Sequence, residues 1–251
     1  MIKTGKDHLE QLRDGRVVFI GDEKVSDVTK HPSLKRAAKT VAGLYDLKHN
    51  KEYQDHLTYQ ENGETFSTWF IQAKNKDDLR KRSKAHKIIA DQTSGMMGRS
   101  MDHVASFVTG MSTSTDIFDN EKYKFSGNLL NYYEYMKKND VFASYAVVPP
   151  QAARNPEFYQ KRNLPIPTLS VVSENDKGVV ISGMKMLATS AIFANEIWIG
   201  NLIPLAPDQV KQSITCAIPC NANGLSLWMR QPLSNHYDNQ FDAPLSWNQD
   251  E

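Results

Sequence analysis

Two consecutive prolines, Pro149 and Pro150, divide this sequence of 251 residues into two parts with different patterns. Proline lacks a backbone donor and clashes with the preceding helical turn, so no regular helix can run through this point. Helical spacing of apolar residues dominates before about residue 140, and short β-rich runs dominate from 141 onward. The sequence therefore predicts a mostly helical domain over residues 1–140 and a β domain over residues 141–251.

Four helices are predicted in the first domain. Residues 33–47 carry an apolar stripe, with Ser33 as the expected N-cap. A second helix begins near Asp77, where acidic groups favour the helix dipole, and ends in a glycine at residue 95. The third covers residues 128–140, and another helix is expected through residues 95–103.

Short strands are predicted in both domains. An Asn-Gly pair within residues 59–71 predicts a hairpin in the first domain. In the second, two β-rich runs meet at a polar turn containing Gly178, and residues 196–205, 213–220 and 224–233 supply further strands.

Charge and hydropathy exclude several classes of partner. The formal net charge is +1, which argues against broad attraction to nucleic acid or to an anionic membrane. Apolar runs are too short to span a bilayer, and no signal core is present at the start. With two cysteines among 251 residues, the expected location is the reducing cytoplasm.

Metal and nucleotide motifs are missing from the sequence. Cys216 and Cys220 would lie ~13 Å apart on one strand, too far for a shared metal ion or a disulfide, so core packing is the expectation. The seven histidines show no metal-ligand spacing. Neither a Rossmann glycine pattern nor a P-loop occurs, so any nucleotide cofactor binds in another way.

Several polar residues have both a structural and a functional interpretation. Arg99 and His103 are spaced to share a helix face, which suits an ordinary surface pair or a site that holds a phenolate or carboxylate. The basic residues of the second helix suit a solvated face, or else a docking or anion-binding face. Residues 144–154 suit an inter-domain linker, while Thr189 and Ser190, late in a predicted strand, suit packing or hydrogen bonds to a ring system.

Five segments in order give the chain a recognisable family resemblance. They are TGKDHLEQLRDGRVVFIGDEKVSDVTKHP, GRSMDHV, PPQAARN, KGVVISGMKMLATSA with ANEIWIGN, and FDAPLSWNQDE. Together they resemble the 4-hydroxyphenylacetate 3-hydroxylase family, the large oxygenase component of two-component flavin-dependent aromatic monooxygenases. The resemblance extends nearly from end to end.

The resemblance implies an α+β fold of the acyl-CoA dehydrogenase type. Such a fold has an N-terminal helical domain, a middle β-barrel and a C-terminal helical bundle. Family members are about twice as long as this chain, so the expectation is a chain truncated within the β domain, without the bundle, that binds flavin weakly. A full-length member is expected to be a homo-tetramer or dimer.

The resemblance also implies a reaction. A separate NAD(P)H:flavin reductase supplies reduced FAD, which reacts with O2 to give a C4a-hydroperoxide that hydroxylates a phenolic ring. The family motif often ends in tyrosine where this chain has His103, and often has a histidine where this chain has Tyr145. We hypothesise that both still face one phenolic oxygen, with 4-hydroxyphenylacetate, phenol or a para-substituted phenol such as nitrophenol as substrate.

Residue by residue, the resemblance assigns catalysis, flavin contacts and substrate contacts. The implied catalytic residues are Arg99, His103 and Tyr145; the flavin-binding residues are Tyr145, Ala146, Val147, Gln151, Ala152, Ala153, Arg154 and Thr189; and the substrate-binding residues are Arg99, Ser100, Met101, Asp102, His103, Tyr145, Gly200 and Asn201.

Two alternatives remain open from the sequence. One is an enzyme of the same fold that acts on an acyl-CoA, and the other is a non-catalytic or weakly active fragment that binds flavin, a partner subunit or nothing. A related dehydratase branch holds an iron–sulfur cluster through thiolates, and neither Arg99 nor His103 is a cysteine, so that branch is disfavoured.

Overall fold

The computed structural model describes residues 2–176, 178–202, 204–232, 242 and 244. The chain forms two compact units that alternate along the sequence. Unit 1 contains Met1–Ser144, Ser190–Glu196 and Pro219–Glu251, and unit 2 contains Tyr145–Thr189 and Ile197–Ile218. The domains expected over 1–140 and 141–251 stay a prediction. Most of the FDAPLSWNQDE segment lies outside the described residues.

Six of the described α-helices belong to unit 1, and a short seventh belongs to unit 2. They are α1 (Gly5–Gln11), α2 (Lys35–Asp46), α3 (Gln54–Leu57), α4 (Lys76–Gln92), α5 (Asp102–Met111), α6 (Ser126–Asn139) and α7 (Pro156–Gln160). In the part of the chain that the structure describes, no helix is both long enough and apolar enough to cross a membrane.

Helix α4 begins and ends where its sequence predicts. The side chain of Asn75 accepts hydrogen bonds from the backbone N–H groups of Asp77 and Asp78, which caps the first turn. At the other end, Gly95 adopts φ +72° and its N–H donates to the Ala90 carbonyl at 2.8 Å. A left-handed residue with such a bond ends a helix, and glycine adopts that conformation without strain.

Helix α2 forms as predicted, but its start is different. Leu34 occupies the N-cap position, without a side-chain hydrogen bond, and Ser33 lies one residue earlier, so the predicted Ser33 cap is wrong. The helix instead gains its stability from a buried face that includes Ala38, Val41 and Tyr45. Burial of that face makes a polar cap dispensable.

Unit 1 contains two small sheets. β1 (Val18–Ile20) lies between β2 (Glu23–Val25), its antiparallel neighbour, and β10 (Leu227–Met229), to which it is parallel. β3 (Thr58–Glu61) and β4 (Glu64–Ser67) form the predicted hairpin. Its two turn residues, Asn62 and Gly63, both have positive φ, which is the geometry that an Asn-Gly turn favours.

A fully buried ion pair lies in the interior of unit 1. The Lys48 ammonium contacts the Asp140 carboxylate, and the Ser67 hydroxyl donates to the same carboxylate at 2.7 Å. Tyr45 donates from its hydroxyl to the Asp140 carbonyl at 3.2 Å, and the Lys48 ammonium lies 4.1 Å from the Tyr45 ring centroid. Each charge therefore has the partners that a buried charge requires.

Unit 2 is built largely from strands. β5 (Ala143–Ala146), β8 (Glu196–Ile199) and β9 (Cys216–Pro219) form a three-stranded sheet, with β8 in the centre, and most residues of these strands belong to unit 2. β6 (Ser170–Asn175) and β7 (Gly178–Ser182) form an antiparallel hairpin. Helices and sheets are thus mixed in this fold, as predicted, but the described strands form open sheets of two or three and no closed barrel is seen among them.

The two cysteines carry free thiols, as the sequence predicts. Cys216 lies in β9, and Cys220 follows that strand. Cys220 is completely buried, and burial raises the pKa of its thiol to about 12. A thiol of that kind stays protonated and packs as a small apolar group.

Candidate active site

The segment that carries Arg99 and His103 differs from the predicted helix. Helix α5 begins at Asp102, so Arg99 lies outside it, in a bend, and the expectation that both share a helix face is wrong. The chain must reverse between α4 and α5, and it does so through a segment that contains Gly95 and Gly98. Arg99 nevertheless remains close enough for its charge to lower the pKa of the His103 imidazole.

The surroundings of His103 lower the pKa of its imidazole and so favour the neutral form. Partial burial lowers the pKa of its imidazole, the nearby Arg99 guanidinium lowers it further, and Asp102 acts in the opposite direction. The net pKa lies below the ordinary value of 6.5. Arg99 itself is exposed. Unit 1 therefore presents a permanent cation beside an imidazole that can accept a proton at neutral pH.

Asp102 anchors the start of α5 by accepting from two groups. The Ser100 hydroxyl donates to one carboxylate oxygen, and Nδ1 of His86, on α4, contacts the other. Burial acts to raise the pKa of Asp102, but His86 and Ser100 outweigh it and the pKa is lowered. His86 was not identified from the sequence, because nothing local shows that α4 lies beside residue 102.

The other residues of this motif are buried. Ser100 and Met101 are almost fully inaccessible to solvent, and the backbone N–H of His103 donates to the Ser100 carbonyl at 3.1 Å. These two residues shape the turn, while Arg99 and His103 present polar groups at its surface.

In unit 2, the residues assigned to flavin meet those assigned to the substrate. The N–H of Gly200, just after β8, donates to the Ala146 carbonyl at 3.2 Å. The Tyr145 side chain lies directly against Gly200, where a methyl group would come 3.1 Å from both Cε2 and the hydroxyl oxygen. The strand end at Tyr145–Val147 and the segment at Gly200–Asn201 thus form one surface.

Lys185 joins the same surface, although the sequence did not single it out. Its ammonium donates to the Val147 carbonyl at 3.2 Å, to the Gly200 carbonyl at 2.8 Å and to Oδ1 of Asn201 at 2.8 Å. It lies within the quoted KGVVISGMKMLATSA segment, but its partners are remote in sequence, and no local signal reveals them.

The turn after the two prolines presents groups that fit a flavin nucleotide. Gln151–Arg154 forms one turn of 3₁₀-helix, in which Gln151, Ala152 and Arg154 are exposed and Ala153 is half-buried. Among the described residues, no carboxylate lies within ion-pairing distance of Arg154. The exposed Arg154 guanidinium and the exposed Gln151 amide can donate hydrogen bonds to phosphate and ring oxygens. The residues present therefore fit the implied cofactor.

Thr189 lies in a turn, not in a strand as predicted. β7 ends at Ser182, and only an isolated bridge between Val148 and Met186 follows before the turn. Ser190 has φ +60°, a left-handed conformation that no strand residue adopts. The flavin contact proposed for Thr189 therefore comes from a turn.

The predicted site residues fall into two groups. Residues 99–103 belong to unit 1, while Tyr145–Val147, Gln151–Arg154, Thr189, Gly200 and Asn201 belong to unit 2. Their convergence on one phenolic oxygen stays a prediction. Among the residues that the structure describes, no cluster of three or more His, Cys, Asp or Glu is arranged to hold a metal ion.

Comparison with known proteins gives matches over nearly the whole chain. Residues 4–251 match the family model described as 4-hydroxyphenylacetate 3-hydroxylase N terminal. The 4-hydroxyphenylacetate 3-monooxygenase oxygenase component of Thermus thermophilus is 36% identical over 98% of the chain. The oxygenase component of a 4-nitrophenol 4-monooxygenase/4-nitrocatechol 2-monooxygenase from Rhodococcus opacus is 31% identical over 98%.

A solved structure shows the same fold. The oxygenase component (HpaB) of 4-hydroxyphenylacetate 3-monooxygenase, complexed with FAD and 4-hydroxyphenylacetate, superposes with a TM-score of 0.87 at 34% identity over 99% of this chain. This chain covers 51% of that structure, and 50% and 47% of the two relatives above. It therefore spans about half the length of the relatives it matches.

Proposed function

Because the chain belongs to the 4-hydroxyphenylacetate 3-hydroxylase family, we propose that its residues take part in hydroxylating a phenol with reduced FAD and O2. One observation carries this proposal: an exposed guanidinium, Arg99, lies near a half-buried imidazole, His103, whose pKa is lowered. That combination suits a phenolic oxygen, since the cation stabilises a phenolate and the neutral imidazole accepts its proton.

The proposed roles follow from the chemistry of each side chain. Arg99 holds the aryl oxygen through charge-assisted hydrogen bonds, and Nδ1 or Nε2 of His103 accepts the phenolic proton. The Tyr145 hydroxyl donates a further hydrogen bond to the same oxygen. Loss of the proton raises the electron density on the ring carbons ortho and para to the oxygen, and an ortho carbon is the one that receives the hydroxyl group.

Flavin contacts are proposed for residues of unit 2. Gln151 and Arg154 would hold polar groups of FAD, Thr189 would donate to its ring system, and the backbone of Tyr145–Val147 would lie beside the ring. Alanines at 152 and 153 leave room for the cofactor at this turn. When bound in its reduced form, the flavin supplies, with O2, the electrophilic oxygen atom for the reaction.

The proposed substrate is phenol itself or a phenol with a substituent at the para position. Ser100, Met101 and Asp102 shape the substrate turn in unit 1, and Gly200 and Asn201 would cover the substrate in unit 2. Relatives act, by their names, on 4-hydroxyphenylacetate and on 4-nitrophenol. Since His103 and Tyr145 stand in exchanged positions relative to the common family pattern, we propose phenol and 4-nitrophenol beside 4-hydroxyphenylacetate.

Further proposals concern the surroundings of this chemistry. Since relatives are named as oxygenase components, we propose an NAD(P)H:flavin reductase as partner. A middle β-barrel, a homo-dimer or homo-tetramer and a cytoplasmic location are proposed on the resemblance given above.

The test is an anaerobic titration of the chain with FADH2, followed by O2 and one phenol at a time. 4-Hydroxyphenylacetate, phenol and 4-nitrophenol form the panel, and product is separated by chromatography. The proposal expects a ring-hydroxylated product from at least one phenol, and Arg99→Met is expected to abolish it. Binding of FADH2 with peroxide as the sole oxygen product from all three phenols would overturn it.

A further inference from the structure

Lys185 places all three of its N–H donors on oxygens of two separate chain segments. Two are backbone carbonyls, at Val147 and Gly200, and the third is the Asn201 side-chain amide oxygen. An ammonium group has three donors and no acceptor, so this set saturates it. The side chain is half-buried rather than extended into water, as a surface lysine would be.

The partners of Lys185 are neutral. Within the described part of the chain, no carboxylate lies within ion-pairing distance of its ammonium. Its charge is therefore compensated only by the oxygen atoms that it holds, and its hydrogen bonds to them are of the strong, charge-assisted kind. Loss of the ammonium would leave the Val147 and Gly200 carbonyls without this donor.

The hydrogen bonds from Lys185 to Val147, Gly200 and Asn201 form a bridge, and both ends of this bridge are fixed to neighbouring segments. On one side, the N–H of Met186, the next residue, donates to the Val148 carbonyl at 2.9 Å, which keeps Lys185 beside the end of β5. On the other, the Asn201 side-chain amide donates to the carbonyls of Gln212 and Ile214 at 3.0 and 3.3 Å. Lys185 and Asn201 thus connect four segments of unit 2, at residues 147–148, 185–186, 200–201 and 212–214.

We propose that Lys185 is a positioning residue that holds Gly200–Asn201 against the strand end at Tyr145–Val147. It acts through the segment that it holds and not by contact with the reacting atoms. In this position, the Gly200 backbone keeps Tyr145 at a defined place, and Asn201 ties the segment to the carbonyls of Gln212 and Ile214. The catalytic consequence rests on the proposed function, while the positioning itself does not.

The positioning is tested by amide hydrogen exchange, which needs neither flavin nor substrate. In Lys185→Met, we expect exchange in peptides covering residues 199–202 to be about tenfold faster, since all three charge-assisted bonds are lost. Lys185→Arg should keep the slower exchange, because a guanidinium can donate to the same oxygens. Asn201→Ala should give a smaller change in the same direction.

A matched control separates the effect of losing the Lys185 hydrogen bonds from the effect of removing any lysine. Lys161 is also in unit 2 and forms only an exposed pair with Glu157, so Lys161→Met should exchange like the wild type. Equal exchange at residues 199–202 in wild type and Lys185→Met would overturn the proposal. So would an equal increase throughout the peptides of Lys185→Met, because that pattern reports global destabilisation.

The catalytic consequence has its own readout. With FADH2, O2 and a phenol that the wild type hydroxylates, Lys185→Met should raise KM and increase peroxide released per flavin oxidised, each by about fivefold to tenfold. Lys185→Arg should restore coupling. Faster exchange without any wild-type hydroxylation would refute the proposed function but keep the positioning role, and unchanged coupling in an active enzyme would refute its catalytic part.

Discussion

The Tyr145 ring lies so close to Gly200 that a methyl group there would come 3.1 Å from the tyrosine hydroxyl oxygen. The N–H of the same glycine donates to Ala146, the residue after Tyr145. Strand β5 and the end of β8 therefore approach each other at a position where a side chain on one would displace the side chain of the other. The position of the Tyr145 hydroxyl depends on residue 200 having no side chain.

Gly200→Ala is expected to impair hydroxylation by moving Tyr145. The added carbon requires the ring to shift by a few tenths of an ångström, and we predict about a threefold to tenfold fall in kcat/KM for the phenol. Gly127→Ala is the control, because that glycine lies in α6 with open space around it. Steady-state kinetics measure both, and wild-type values for Gly200→Ala would contradict the prediction.

Arg99→Gln is expected to raise the pKa of His103. Burial is the larger cause of the lowered pKa and remains in the variant, but the repulsion from the guanidinium is removed. Titration of the His103 imidazole by two-dimensional NMR measures this pKa in both proteins. Arg154→Gln, in unit 2, serves as the control. The same His103 pKa in wild type and Arg99→Gln would show that the two groups do not interact.

Asp102→Asn is expected to make stability less sensitive to acid. The folded-state pKa of Asp102 is lowered from 3.8, so its contribution is present above the unfolded-state pKa and is lost as pH falls through the folded one. At pH 7 the variant should lose about 1–3 kcal/mol of unfolding free energy. Below pH 4 the difference from wild type should shrink.

Urea unfolding between pH 3 and pH 7 measures the difference in unfolding free energy between wild type and Asp102→Asn. Asp91→Asn is the matched control, because Asp91 is exposed and pairs only with the exposed Lys87 on α4. A constant difference between wild type and Asp102→Asn across this range would contradict the account of Asp102.

Lys48→Met is expected to destabilise the chain strongly. The substitution leaves the Asp140 carboxylate buried with Ser67 and the Lys3 backbone N–H as partners but without its cation. Removal of one member of a buried ion pair costs about 3–5 kcal/mol. Lys87→Met, which removes an exposed pair, should leave the unfolding free energy close to that of wild type. A loss below about 1 kcal/mol for Lys48→Met would contradict the structure's placement of this pair.

Local signals predicted the parts of the fold that local forces determine. The acidic residues at the start of α4 and Gly95 after its end were sufficient to locate that helix, and Asn62-Gly63 was sufficient to predict a hairpin. The parallel pairing of Val18 with Leu227 is not visible in the sequence, because it joins residues about two hundred positions apart. It places a strand predicted for the second domain in unit 1.

The candidate site was predictable for residues in contiguous motifs and not for those that support them. Arg99, His103 and Tyr145 were identified because the motifs that contain them resemble a family. His86 and Lys185 were not, since each acts on a partner from a different element. The helix expected through Arg99 was wrong because the glycines at 95 and 98 favour a bend over a continuous helix.

The central claim is that Arg99, His103 and Tyr145 act on one aryl oxygen during flavin-dependent hydroxylation. Its most direct test is the fraction of FADH2 oxidised that yields hydroxylated phenol in wild type, His103→Ala and Tyr145→Phe. The account predicts that both variants still oxidise FADH2 and that their coupled fraction falls at least about tenfold, with peroxide in place of product. Wild-type coupling in both variants would contradict it.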